Sequence, residues 1–468
     1  MKMTMFDKTV YIERRRKLVQ ELGSGIIVLM GNEESSMNYR DNCYSFRQDS
    51  TFLYYVGINK PGLVLVLNID EGTETLFGND LSLDDIIWTG AMPSISELAA
   101  LSGIGHTKQS NSLEQFFKSK ENSGQRIHIL PPYRPENVLK LKSWLHVPVA
   151  KLQEFVSVPL IKAIVKQREI KEQAEIEEIE KAVNISADMH LAAMRHTRPG
   201  MKEYEVLAKV QEAALAANAG VSYPVILTIN GQILHNHYYG NTIQEGNMIL
   251  CDAGAENAMC YAGDLTRTFP AGKSFTSEQK EIYQAVLDSI QHAASLLKPG
   301  VQFREVHRQS AVKLLEGLKQ TGLVTGDAEE AVELGVHTLF FQCGLGHMMG
   351  LDVHDMEDLG EEYVGYTDAI KRNTSFGWKS LRLAKELQPG FVLTVEPGVY
   401  IIPELLNRWK AENKLASFVN YNKLTAMQSF SGVRIEDNYV ITDNGYRKLG
   451  KDLPTTIKEV ESFRAAQF

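Results

Sequence analysis

Two stretches, Gly246-Asn-Met-Ile-Leu-Cys-Asp-Ala-Gly254 and Gly390-Phe-Val-Leu-Thr-Val-Glu-Pro-Gly398, decide how this chain is read. Each is an apolar run of strand length between glycines, closing on one acid, Asp252 in the first and Glu396 in the second. A second pair repeats upstream, where Arg198-Pro-Gly-Met-Lys-Glu-Tyr-Glu-Val206 is answered by Lys298-Pro-Gly-Val-Gln-Phe-Arg-Glu-Val306. The offsets are 298 − 198 = 100 and 390 − 246 = 144, so the second copy carries about 44 extra residues, which the polar stretch between Met356 and Leu387 supplies. Two copies are too few for a solenoid. They predict a domain with pseudo-twofold symmetry and a site on the axis between the copies, to which each contributes one acid.

More acids gather around that axis. Met248, Leu250 and Asp252 share one face of a predicted strand, and Asp264 arrives on the next strand after Glu256-Asn257. A hairpin centred on Ala258 sets Asp252 opposite Asp264, because 252 + 264 is twice 258. Carboxylates facing across a ladder, with Cβ atoms roughly 5 Å apart, repel unless one is protonated or a cation lies between them. Glu396 ends the strand Phe391–Val395, and Glu436 follows Val433-Arg434-Ile435, which adds two acids in apolar surroundings. His347 and His354 lie in Gly344-Leu-Gly-His-Met-Met-Gly-Leu-Asp-Val-His-Asp355, where small residues allow close backbone approach. Oxygen-rich ligation with one imidazole suits hard or borderline divalent ions such as Mn²⁺, and four carboxylates are enough to hold two of them.

A lone buried acid at a strand end is usually a cap or an ion-pair partner; it is the concentration of four that favours metal. The Gly344–Gly350 run is no dinucleotide loop, since its third glycine falls one place late for GxGxxG. No GxSxG elbow or P-loop occurs, and Cys343 has no thiol-protease surroundings.

The chain has 468 residues, 44% hydrophobic and 23% charged, a size and balance that predict two domains. Its net charge is −9 and its Lys and Arg residues are scattered, which argues against a nucleic-acid surface. Met1 to Lys17 runs into Glu13-Arg-Arg-Arg-Lys17 with no apolar stretch before it, and no apolar run approaches the roughly 20 residues of a spanning helix. The expectation is no signal peptide, no membrane anchor and a cytoplasmic location. Cys43, Cys251, Cys260 and Cys343 form no CxxC pair, which suits a reducing compartment.

Tyr11 to Pro159 reads as a compact α/β domain, with strands at Gly25–Met30, Thr51–Val56 and Leu63–Ile69 separated by the turn signals Gly57 and Pro61-Gly62. From Arg168 to Met194 the pattern becomes a long helix, with Ile176, Ile179, Val183, Ala187, His190 and Met194 on one face, halted by Pro199-Gly200. The expected boundary lies near residue 165, giving domains 1–165 and 166–468.

The succession of Asp252-Ala-Gly, Gly263-Asp-Leu-Thr-Arg-Thr-Phe269, Gly344 to Asp355, Thr394-Val-Glu-Pro-Gly-Val-Tyr400 and Gly432-Val-Arg-Ile-Glu-Asp437 resembles the metal-binding motifs of the Xaa-Pro aminopeptidase and prolidase family. Phe46 to Gly57 and Ile87-Trp88-Thr89-Gly90 look like that family's N-terminal domain. The resemblance implies an α/β chain: an N-terminal creatinase-like α/β domain, then a pita-bread α+β domain with pseudo-twofold symmetry. It implies two divalent metal ions, manganese with cobalt or zinc as alternatives. Asp252 would bind one ion through both oxygens, Asp264 and Glu436 would bridge the pair, and His347 and Glu396 would bind the other.

By the same resemblance, Glu396, His354, His235 and Arg434 form the catalytic group, with Glu396 carrying the proton and the histidines stabilising the oxyanion. His235, His354, Cys343 and Asp41 match substrate-contacting positions. The substrates implied are peptides with proline in second position, cleaved by an Xaa-Pro aminopeptidase or, alternatively, by a dipeptide-restricted prolidase. A metal-free binding module would show substituted ligands, and none is substituted. The implied assembly is a homodimer or homotetramer in which N-terminal domains wall the active sites. Two departures stand out. The spacing 264 − 252 = 12 is one longer than the family's usual hairpin, with Met259 or Cys260 as the insert, and Cys343 occupies a place where many members carry histidine.

Overall fold

The computed structural model describes residues 5–120 and 124–468; the reading of the N-terminus rests partly on Met1–Thr4, which lie outside the described residues. The chain divides into two units. One holds the residues up to Arg168 together with Met356–Tyr363, and the other holds Glu169–Asp355 and Val364–Phe468. No helix among the described residues is long and apolar enough to cross a membrane.

The first unit is built on a five-stranded mixed sheet in the order His106–Lys108, Thr73–Phe77, Val64–Asn68, Ile26–Met30, Ile127–His128. Ile26, Val28, Val64, Val66 and Phe77 point from its strands into a core that Leu113, Phe117 and Leu141 close from the helices. The expected strand at Thr51–Val56 is instead the helix Ser50–Val56. All seven residues are buried, so neither a two-residue nor a 3.6-residue period shows in the sequence. The ends decide it. Asp49 Oδ1 accepts from Phe52 N at 2.7 Å as an N-cap, and Gly57 at φ 74° ends the helix in the left-handed region.

The second unit repeats one plan. The helices Gln173–His196 and Glu203–Ala216 accompany a sheet ordered Leu265–Pro270, Met248–Ala253, Ile226–Thr228. The helices Ser277–Ser295 and Phe303–Gln320 accompany a sheet ordered Val392–Val395, Asp437–Thr442, Gly445–Lys448. The backbone bridges Lys202↔Thr242 and Gln302↔Glu386 are equivalent, with 302 − 202 = 100 and 386 − 242 = 144, the same two offsets that the sequence carries. Thr266↔Glu436 joins the halves.

Two expectations for this unit need correcting. The long helix starts at Gln173, not Arg168, which instead ends a separate helix Val158–Arg168. Between them Lys171 is strapped down, its N donating to Gly390 O at 2.9 Å and its Nζ pairing with the buried Asp355 at 2.8 Å. The hairpin register also differs. Asp252 pairs with Thr266, not Asp264, so the centre is residue 259, with 252 + 266 = 2 × 259. Cys260, at φ 66°, takes the left-handed turn position. Asp264 leaves the ladder because Asn438 captures its backbone, with Asp264 N donating to Asn438 Oδ1 at 3.2 Å and Asn438 Nδ2 donating to Asp264 O. Asp264 remains on the face of Asp252, two positions from Thr266, as a diagonal neighbour.

Candidate metal centre

Asp252 sits near the end of the central strand Met248–Ala253, flanked on both sides, so its carboxylate is buried. Glu396 follows the equivalent strand of the second copy, its N donating to Leu345 O at 2.8 Å. That bond and the one from Thr394 N to His347 O, 3.0 Å, lay the glycine-rich segment along the strand. Gly346 makes the approach possible, since a Cβ there would fall 2.1 Å from Thr394 O. His347 N then donates to Thr394 Oγ1 at 3.1 Å. Glu436 reaches the axis through the interhalf bridge, with its N donating to Thr266 O at 3.1 Å.

The result is a tight, buried cluster. Ligand atoms of Asp264, His347 and Glu436 all lie within 4.8 Å of one another. His347 Nε2 is 3.3 Å from Asp264 Oδ2 and 3.5 Å from Glu396 Oε1. Its Nδ1 lies 3.0 Å from Met348 O; a proton on Nδ1 leaves the Nε2 lone pair facing the acids, the tautomer a metal ligand needs.

The electrostatics of the bare cluster are unfavourable. Burial, then the nearby Asp252 charge, pushes Asp264 up to about 7. Burial and Asp264 hold Glu436 well above the ordinary carboxylate range, and burial raises Glu396. Glu436 Oε2 accepts from Thr266 Oγ1 at 2.7 Å, yet its Oε1 is buried with no hydrogen-bond partner among the described residues. An orphaned carboxylate oxygen beside two other acids and an imidazole lone pair is what a divalent cation would satisfy, so the residues present fit metal.

The same cavity is lined by Asp252, Asp264, His347, Glu396, Glu436, His235, His354, Arg434 and Cys343. Asp41 belongs to the first unit, exposed in a turn between Ser36 and Cys43. Arg434 is held by three partners: it forms a salt bridge with Asp252 Oδ2, donates to Tyr400 Oη at 2.8 Å and to Thr266 Oγ1 at 3.1 Å. Burial, with Glu396 nearby, pushes the Cys343 thiol up to about 12, so it is neutral near pH 7. The His354 ring centroid is 4.3 Å from that of His347, and His235 lies at the exposed rim.

Sequence reasoning missed three participants. Tyr223 Oη contacts both Asp252 Oδ1 and Asp264 Oδ1, one phenol proton shared between two carboxylates, and it carries no motif signal. Thr266 supports Glu436 from within the Gly263–Phe269 motif. Arg382 enters the cavity from the extra segment of the second copy.

The profile of metallopeptidase family M24 matches residues 177–443, and that of the aminopeptidase P N-terminal domain matches residues 11–129. The chain belongs to metallopeptidase family M24. It is 33% identical to the Xaa-Pro dipeptidase of Homo sapiens over 97% of this chain and 91% of that one. It is 28% identical to the Xaa-Pro aminopeptidase of Escherichia coli over 99% of both. Among solved structures it is similar to zinc-substituted E. coli aminopeptidase P in complex with product, with a TM-score of 0.81, 28% identity and coverage of 99% of this chain and all of that one. The second unit is therefore an M24 pita-bread domain behind an aminopeptidase P-type N-terminal domain, and the enzyme is a hydrolase of the Xaa-Pro peptidase family that works with divalent metal.

Proposed function

We propose that this M24 peptidase hydrolyses the bond between a first residue and a following proline, and that Asp252, Asp264, His347, Glu396 and Glu436 hold two divalent ions, manganese ahead of cobalt or zinc. The observation that carries this reading is the buried, unpartnered Oε1 of Glu436, on a carboxylate that has an oxygen within 4.8 Å of ligand atoms of Asp264 and His347. Bound ions would supply the Lewis acidity that lowers the pKa of water and polarises a carbonyl. The chain's own residues do the rest. Glu396, whose proton affinity burial raises, is suited to take a proton from water and pass it to the proline nitrogen. His354 and His235 orient the scissile carbonyl and stabilise the charge that develops on it. Arg434 keeps Asp252 in place, itself oriented by contacts to Asp252, Tyr400 and Thr266. An Xaa-Pro bond is a tertiary amide with no N–H to grip, so recognition must fall on the flanking groups.

Our first reading is release of the first residue from peptides longer than two. Cys343 occupies the place where the family's motif, by resemblance, has a histidine, and its neutral thiol is a poor partner for a free carboxylate. One observation favours the prolidase reading: Arg382 brings a second guanidinium to the cavity, and a guanidinium suits the free carboxylate of a terminal proline. The comparison that separates them is kcat/KM for Xaa-Pro against Xaa-Pro-Yaa-Zaa, with the same first residue and Mn²⁺ present. The longer peptide is expected to be cleaved at least as well. Cleavage confined to the dipeptide would make the enzyme a prolidase.

A further inference from the structure

His307 and His337 form an unexplained pair. Both are buried, at 1% and 0% exposure, and none of their four ring nitrogens has a hydrogen-bond partner among the described residues. A buried imidazole normally finds a partner, because an unsatisfied donor or acceptor is costly. What both rings do meet is one indole. Trp378 lies 4.8 Å from His307 at 74° and 5.8 Å from His337 at 83°, both edge-on arrangements. Edge-to-face packing of aromatic rings is the attractive arrangement, so the two imidazoles and the indole hold one another. Burial lowers His307 to about 3 and His337 to about 4, so both rings are neutral near pH 7.

Trp378 opens the short turn Trp378–Ser380, in the extra segment of the second copy. Its neighbours hold that turn closely. Gly377, at φ 85°, packs so near Thr338 that a Cβ would fall 2.4 Å from Thr338 Cγ2. Leu381 N donates to Trp378 O at 3.0 Å, and a Cβ on cavity-lining Gly344 would fall 2.6 Å from Ser380 O. Ser380 and Arg382, two and four residues after the indole, line the cavity of the metal centre.

The geometry points to Trp378 as a positioning residue for substrate recognition: gripped by His307 and His337, it fixes the turn that presents Ser380 and Arg382 to the peptide. This rests on the Xaa-Pro hydrolase reading. Since neither side chain belongs to the metal cluster, losing the anchor acts on binding and not on the chemical step.

The test is kinetic, on the full chain loaded with Mn²⁺, with an Xaa-Pro substrate. Trp378→Leu is expected to raise KM roughly 10-fold or more while kcat and bound metal stay within about two-fold, and Trp378→Phe, which keeps a ring in the box, should recover most of the loss. In the Arg382→Ala background Trp378→Leu should add little, because both changes remove the same contact. Additive effects, an unchanged KM, or a joint fall in kcat and metal would overturn the proposal. Should Trp378→Leu not fold, the milder His337→Leu carries the same expectation of a KM rise alone. Absence of Xaa-Pro turnover in the unaltered enzyme would instead fail the reading of function; equal dipeptide binding by that enzyme and Trp378→Leu in calorimetry would overturn the anchor.

Discussion

Glu396→Gln is expected to lower kcat by roughly 10²- to 10⁴-fold, the range that a positioned proton carrier contributes. The substitution is nearly isosteric, so Thr394 Oγ1, 3.3 Å from Glu396 Oε1, and the backbone bond to Leu345 O are preserved. What disappears is the negative charge facing His347 Nε2 and the ability to accept a proton. Because the same carboxylate is proposed as a ligand, metal affinity should fall as well, and the assay belongs at saturating Mn²⁺. A kcat within a few-fold of the unaltered enzyme under those conditions would remove Glu396 from the chemistry.

His354→Ala carries the second largest expectation, a loss of roughly 10²-fold or more in kcat with metal content close to normal. His354 stands beside His347, with ring centroids 4.3 Å apart and planes at 67°, and lines the same cavity as the acids. We propose that it serves the substrate carbonyl, so that its loss would remove stabilisation of the developing charge and leave the ions in place. Metal analysis of the two variants side by side decides the assignment. Metal loss from His354→Ala as large as that from Glu396→Gln would make His354 a ligand.

The pita-bread half was legible because its signals are paired. The offsets of 100 and 144 residues between repeated motifs reappear as the bridges Lys202↔Thr242 and Gln302↔Glu386, and the acids that end the two matching strands line one cavity. The hairpin register was not legible, since it depends on Asn438, 174 residues away, drawing the Asp264 backbone out of the ladder. Nor was the helix Ser50–Val56, whose fully buried run hides its period and whose identity lies in the caps Asp49 and Gly57. Tyr223 and Arg382 sit outside any repeating pattern. Their roles arise only when distant segments meet, and Asp41 belongs to a unit that the pattern of acids does not reach.

The central claim is that the acidic cluster exists to hold two cations. The most direct measurement is metal content per chain, followed while exhaustively stripped enzyme is titrated with Mn²⁺ and assayed on an Xaa-Pro peptide. Activity should be absent in the stripped protein and should reach its plateau at two ions per chain, because buried carboxylates this close are unfavourable without them. Full activity in enzyme shown to be free of metal would contradict the account.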